Sequence, residues 1–126
     1  MLNIELKFRA FNKKSQRMFK SGALSFSTER HSFMFYSDKD MDGVKDEDME
    51  IMQFTGQKDL NNTDVFQRDV VMMNDKKFII IWDNNRGGWS YTDVERQMTM
   101  TSFGRFEANT CEVIGNEFEH PNLLNP

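Results

Sequence analysis

The chain has 126 residues with a formal net charge of −4, and 38% of its residues are hydrophobic against 29% charged. That length suits one domain, expected over residues 1–126, and the 12 Phe and 10 Met offer enough large apolar surface for a core, so an intrinsically disordered chain is excluded. The longest wholly apolar run, Phe78-Ile79-Ile80-Ile81-Trp82, is far shorter than a membrane-spanning helix, and an acidic balance opposes a protein built chiefly to grip phosphate.

The average charge conceals two opposed segments. Residues 1–20 carry Lys7, Arg9, Lys13, Lys14, Arg17 and Lys20 against Glu5, a local charge of +5. Residues 38–50 carry Asp38, Asp40, Asp42, Asp46, Glu47, Asp48 and Glu50 against Lys39 and Lys45, a local charge of −5. Like charges at this density repel, so both segments are expected to face solvent.

In chain order, Ile4, Leu6, Phe8 and Ala10 alternate with Glu5, Lys7 and Arg9, the pattern of a half-buried strand. Asn12 to Gln16 has turn chemistry and Met18-Phe19 resumes the apolar pattern, so residues 4–20 read as a hairpin. Leu24 and Phe26, then His31, Phe33 and Phe35, alternate with serines and predict two further strands. The 78–82 run is apolar on both faces and predicts a central strand in a packed sheet. Asp83 to Gly88 supplies a loop before Trp89-Ser90-Tyr91 restarts the pattern. Thr92 and Glu95 have capping-box spacing for a short helix ending near Met98, and Cys111 to Glu117 predicts the last strand before His120-Pro121.

Three blocks then combine. Lys7 to Phe11 precedes the basic turn; Met52 to Asp59 runs on to Asp64–Val71; Glu112 to Asn116 leads into Glu119–Leu124. In order and spacing the chain resembles the YopX family, proteins of bacteriophages and prophages. The resemblance implies a mainly β fold, a small SH3-like barrel with additional strands and one short helix, in a family without an established activity. Two positions depart from the family pattern: Arg68 stands where a glycine is usual, and Asn61-Asn62 where Asn-Gly is usual. If the glycine served a positive φ, Arg68 is strained by about 1 kcal/mol, whereas Asn62 tolerates that geometry.

Candidate chemistry is sparse. Asp38, Asp40 and Asp42 before Gly43, with Asp46 next in order, reproduce the first half of a calcium loop, but Met49 stands where the bidentate glutamate belongs. Weak calcium is therefore the one cofactor expectation, against the alternative of an acidic surface loop. A bound cation would show as a higher melting temperature in millimolar calcium than in EDTA, and equal temperatures would remove it.

Lys7, Arg9, Lys13, Lys14 and Arg17, with aromatics such as Phe11 and Trp89, form a candidate nucleic-acid surface; the competing reading is a solvated turn with aggregation-blocking edge charges. Cys111 could attack as a thiolate with His31 or His120, but Val113 and Ile114 beside it suggest a buried, inert side chain. No catalytic constellation emerges, so the expectation is a non-enzymatic protein-interaction module. Its partner would be a host or phage protein or a second copy, with nucleic acid less favoured and no membrane. A lone cysteine and an N-terminus without a secretory pattern set the expected location as the bacterial cytoplasm.

Overall fold

The computed structural model describes residues 5–20, 23–29, 32–36 and 48–125. The fold is mainly β, and the chain divides into two compact units, Leu6–Gln53 and a second that takes Glu5 with the residues from Phe54 onward.

In the first unit, β1 (Phe8–Asn12) and β2 (Arg17–Phe19) form the hairpin expected from the alternation, with Ala10 opposite Phe19 and Asn12 opposite Arg17. The opening half of β5 (Met49–Lys58) pairs with the other edge of β1, from Phe8 opposite Gln53 to Asn12 opposite Met49. The strands predicted around Leu24 and Phe33 are β3 (Ala23–Ser27) and β4 (Ser32–Tyr36), an antiparallel pair. Ala10, Phe19 and Phe35 form the buried cluster, with Phe8, Met49 and Ile51 packed on it. One expectation fails here. Leu6, assigned to the buried face, is 64% exposed, whereas Phe11 on the opposite face is buried, because burial in β1 deepens towards its C-terminal end.

In the second unit, β6 (Asp64–Phe66) pairs with the second half of β5 across a bulge at which Gly56 takes a φ of 85°. β7 (Asp69–Met73), β8 (Lys76–Asp83), β9 (Gly88–Asp93) and β10 (Thr99–Ser102) form a meander. After α1 (Arg105–Thr110), β11 (Glu112–Asn116) returns to pair with β7, so the sheet order is β10-β9-β8-β7-β11. Its core is Val65, Val71, Met73, Phe78, Ile80, Phe103, Ala108 and Cys111, with Trp89, Tyr91 and Val113 packed against it.

The 78–82 run is central, as its composition predicts, but it is not equally buried on both faces. Phe78 and Ile80 are buried while Ile79 and Ile81 are only half-buried and Trp82 is 45% exposed. The helix predicted after Thr92 is absent. β9 continues through Asp93, whose Oδ1 accepts the N–H groups of Glu95 and Arg96 and turns the chain back instead. The helix lies later, at Arg105–Thr110, where Glu107 Oε1 accepts the Gly104 N–H.

That turn is one of a recurrent kind. Asn12, Asp83 and Asp93 each end a strand, accept one or two N–H groups of the next residues through Oδ1, and accept a fourth-residue N–H on their own carbonyl. The residue that closes each turn is left-handed: Gln16, Gly87 and Gln97 have φ of 61°, 66° and 57°. At both glutamine positions the side-chain Nε2 donates at 2.6 Å to the first carbonyl of the turn, Lys13 O or Val94 O, which offsets the cost of that backbone. Asn74 and Asp75, both at positive φ, make the two-residue turn between β7 and β8.

Arg68 also lies at positive φ, 72°, and so does Asn62 at 66°, as the two departures from the family pattern required. The Arg68 N–H donates to Ile80 O, its carbonyl accepts from Glu117 N, and its guanidinium lies 3.4 Å from Glu117. The backbone position is thus fixed from two sides while the ion pair is partly exposed and weak. Arg68→Gly is expected to stabilise by about 0.5–1 kcal/mol through relief of strain, and Arg68→Ala, which keeps the strain and loses the pair, to destabilise slightly. Urea midpoints of the two variants falling on the same side of the parent would contradict this.

Candidate functional site

The basic hairpin is real but does not present five free cations. Lys13 and Lys14 sit exposed in the β1–β2 turn and Arg17 is exposed on β2, so these three are brought together at the hairpin tip. Lys7 and Arg9 are half-buried at the opposite end of β1. Lys13 Nζ lies 3.3 Å from Glu50 Oε1, and the Arg17 guanidinium packs 5.5 Å from the centre of the Phe19 ring. β2 is an edge strand, where a cation deters pairing with other chains. Phe11, offered as a stacking aromatic, is buried at 2% exposure and cannot meet a base.

The aspartates of the half-matched calcium loop, Asp38, Asp40, Asp42 and Asp46, lie outside the described residues, as does His31. Among the described residues no group of three or more His, Cys, Asp or Glu side chains is arranged to hold a metal ion.

Cys111 is buried, and its thiol donates to Ala108 O at 3.3 Å. Burial, followed by the nearby Asp59 and Asp69 carboxylates, pushes the thiol pKa up to about 12, so the attacking thiolate is suppressed. His120 is exposed, and its Nδ1 accepts the Asn116 N–H at 3.2 Å. Two outcomes are expected. Iodoacetamide at pH 8 should modify Cys111 only as fast as the protein unfolds, and rapid alkylation would show an open site. Because the folded thiol pKa is raised from 9.0, the stability this group contributes is intact below about pH 9 and is lost progressively from there to about pH 12.

The polar residues of the signature blocks turn out to hold backbone. Asp59 is 5% exposed; its Oδ1 accepts the N–H groups of Asn61 and Thr63, and its Oδ2 accepts that of Val113 on β11. Asp69 Oδ2 accepts the Phe66 N–H at 2.7 Å, and Thr55 Oγ1 donates to Val65 O. Asn116 Oδ1 accepts from Phe118 and Glu119, turning the chain into the closing 3-10 helix, Pro121–Leu124. That helix approaches Gly115 so closely that a Cβ there would meet Leu123 Cδ1 at 2.6 Å, and Lys77 Nζ ties its end by donating to the carbonyls of Leu123 and Asn125. Sequence reasoning did not single out Asp59, although Asp59-Leu60-Asn61-Asn62 has the composition of a side-chain-capped turn.

One margin of the second unit, at β10, is exposed and carries no charge within the strand. All four residues of β10 are exposed, Met98 and Met100 are 59% and 39% exposed, and Trp82 meets the half-buried Trp89 edge to face at 5.2 Å. Methionine side chains are unbranched and flexible, and adapt readily to a contacting surface. A separate groove of about 150 Å³ between Met72, Lys76, Val94 and Glu95 is too small for most organic ligands.

The sequence model of the family described as YopX protein matches residues 7–125. This chain belongs to the YopX family. Two solved structures show the same fold. The crystal structure of protein EF1440 from Enterococcus faecalis matches with a TM-score of 0.71 at 19% identity, covering 98% of this chain and 100% of that one. The crystal structure of protein yopX from Bacillus subtilis matches with a TM-score of 0.58 at 18% identity, covering 95% and 96%. No curated protein matches this chain. In this YopX protein no helix among the described residues is long and apolar enough to cross a membrane.

Proposed function

We propose that this YopX protein is a non-enzymatic interaction module, a phage or prophage accessory protein that acts in the bacterial cytoplasm by binding another protein. The observation that carries the reading is the exposed β10 margin with Met98 and Met100, the kind of uncovered strand and flexible apolar side chain that contact proteins use. It is supported by the signature polar groups, which hold turns and strand ends, and by the burial of Cys111. The second unit is best read as SH3-like: a meander from β7 to β10, a helical turn, and a last strand returning to the first. Barrels of that type serve many unrelated functions, so the fold itself does not choose among them.

Affinity capture from infected host lysate, with and without nuclease, tests the reading. A protein retained despite nuclease and lost in a Met98→Ser/Met100→Ser variant supports it. Capture abolished by nuclease would instead assign the protein to nucleic acid through the basic hairpin. Light scattering of the purified chain reports whether the retained partner is a second copy.

A further inference from the structure

We propose that the outer edge of β10 is a strand-addition site for an extended acidic peptide segment; this rests on the interaction-module reading and names its site and partner class. Among the described residues β10 is the last strand of its sheet and pairs with β9 alone, from Thr99 opposite Thr92 to Ser102 opposite Ser90. Its outer side has no strand partner among the described residues, all four of its residues are exposed, and one carbonyl, that of Met100, accepts from the Arg86 side chain. Edges of this kind are commonly blunted by proline, by charge within the strand or by a bulge. From Met98 to Ser102 there is neither proline nor charge, and what interrupts the edge is the register shift between Thr99 and Ser102 and the Arg86 side chain on Met100 O.

The charges that matter flank the edge and are positive. Arg96 and Arg105 are both exposed at its two ends; Arg86 Nη1 also donates to Met100 O at 2.7 Å, but its Nε lies 3.7 Å from Asp83 Oδ2, so its charge is already partnered. No acidic residue lies between Arg96 and Arg105. Glu107 is turned back onto the Gly104 N–H, and Glu95 belongs to the preceding turn. A second copy paired antiparallel about Met100 and Thr101 would bring each Arg96 towards the other copy's Arg105, and like charges facing across a ladder oppose pairing. An acidic strand meets the same two positions with opposite charge. Main-chain hydrogen bonds would supply affinity, and the flanking arginines would select for carboxylates.

The test is an anisotropy titration at low salt with a fluorescein-labelled ten-residue peptide of alternating valine and glutamate, and a lysine-for-glutamate control. The expected result is saturable micromolar binding of the acidic peptide alone, weakened roughly tenfold or more by Arg96→Glu/Arg105→Glu with an unchanged melting temperature. N-methylation of alternate amides along one edge of the peptide should abolish binding, and along the other edge leave it intact. Equal binding of the two methylated peptides, equal binding of the lysine peptide, or no loss in the double variant overturns the proposal. Absence of peptide binding alongside nuclease-resistant capture of a protein overturns this edge assignment but not the interaction-module reading. Nuclease-sensitive capture alone overturns that reading instead.

Discussion

Asp59→Ala is expected to lower the free energy of unfolding by about 3–5 kcal/mol, more than any surface substitution in this chain. The carboxylate accepts three backbone N–H groups, from Asn61, Thr63 and Val113, all within 2.9 Å. Two of these bonds close its own turn, and the third joins that turn to β11. Bonds from backbone N–H to a carboxylate are each stronger than neutral ones, and alanine would remove the acceptor from all three part-buried bonds at once. Asp59→Asn is the informative companion. Its amide oxygen can replace one acceptor, but its NH₂ would face an N–H, so about half the loss should persist. Urea denaturation measures both, and an Asp59→Ala midpoint equal to that of the parent would show that the network carries no stability.

Ile80→Ala should cost about 3–4 kcal/mol, whereas Ile79→Ala, one residue away, should cost about 1 kcal/mol. Ile80 has no exposed surface, lies in the middle strand of five and sits opposite Tyr91 in the register. Truncation there opens a cavity among Phe78, Tyr91 and the rest of the main cluster, which neighbouring strands cannot close by moving. Ile79 sits on the half-buried face. Equal losses in the two variants would restore the view that the strand is buried alike on both sides.

That view came from composition, and its failure shows where sequence reasoning stops. A run of five apolar residues identifies a central strand, but it does not say what covers each face, since burial is decided by packing elsewhere in the chain. The hairpins were legible because their signals are local. Asn12 to Gln16 and Asp83 to Gly88 place side-chain acceptors and left-handed residues at fixed offsets from the strand ends. Thr92 and Glu95 gave the right cue for a cap but the wrong residue, because Asp93 competes for the same amides and continues the strand pairing. The left-handed backbone at Arg68 could be inferred only by setting the chain beside its family, since nothing in arginine itself announces a positive φ. The candidate site was harder to read. The basic hairpin was visible as charge, but the ion pair from Lys13 to Glu50 joins residues far apart in the chain. The β10 edge is marked by the absence of charge, and its being the last strand is a property of topology.

The return of β11 to β7 has a consequence for how the chain folds. Every other ladder of the second sheet joins strands that are neighbours in sequence across short turns, so each can form early and locally. The bond from Val113 N to Asp59 spans 54 residues and must wait for a large loop to close. Docking of β11 is then a late event. Loss of the Asp59 carboxylate should register mainly as faster unfolding, with the refolding limb of a chevron plot little changed. Substitutions in the β8–β9 turn should slow refolding instead.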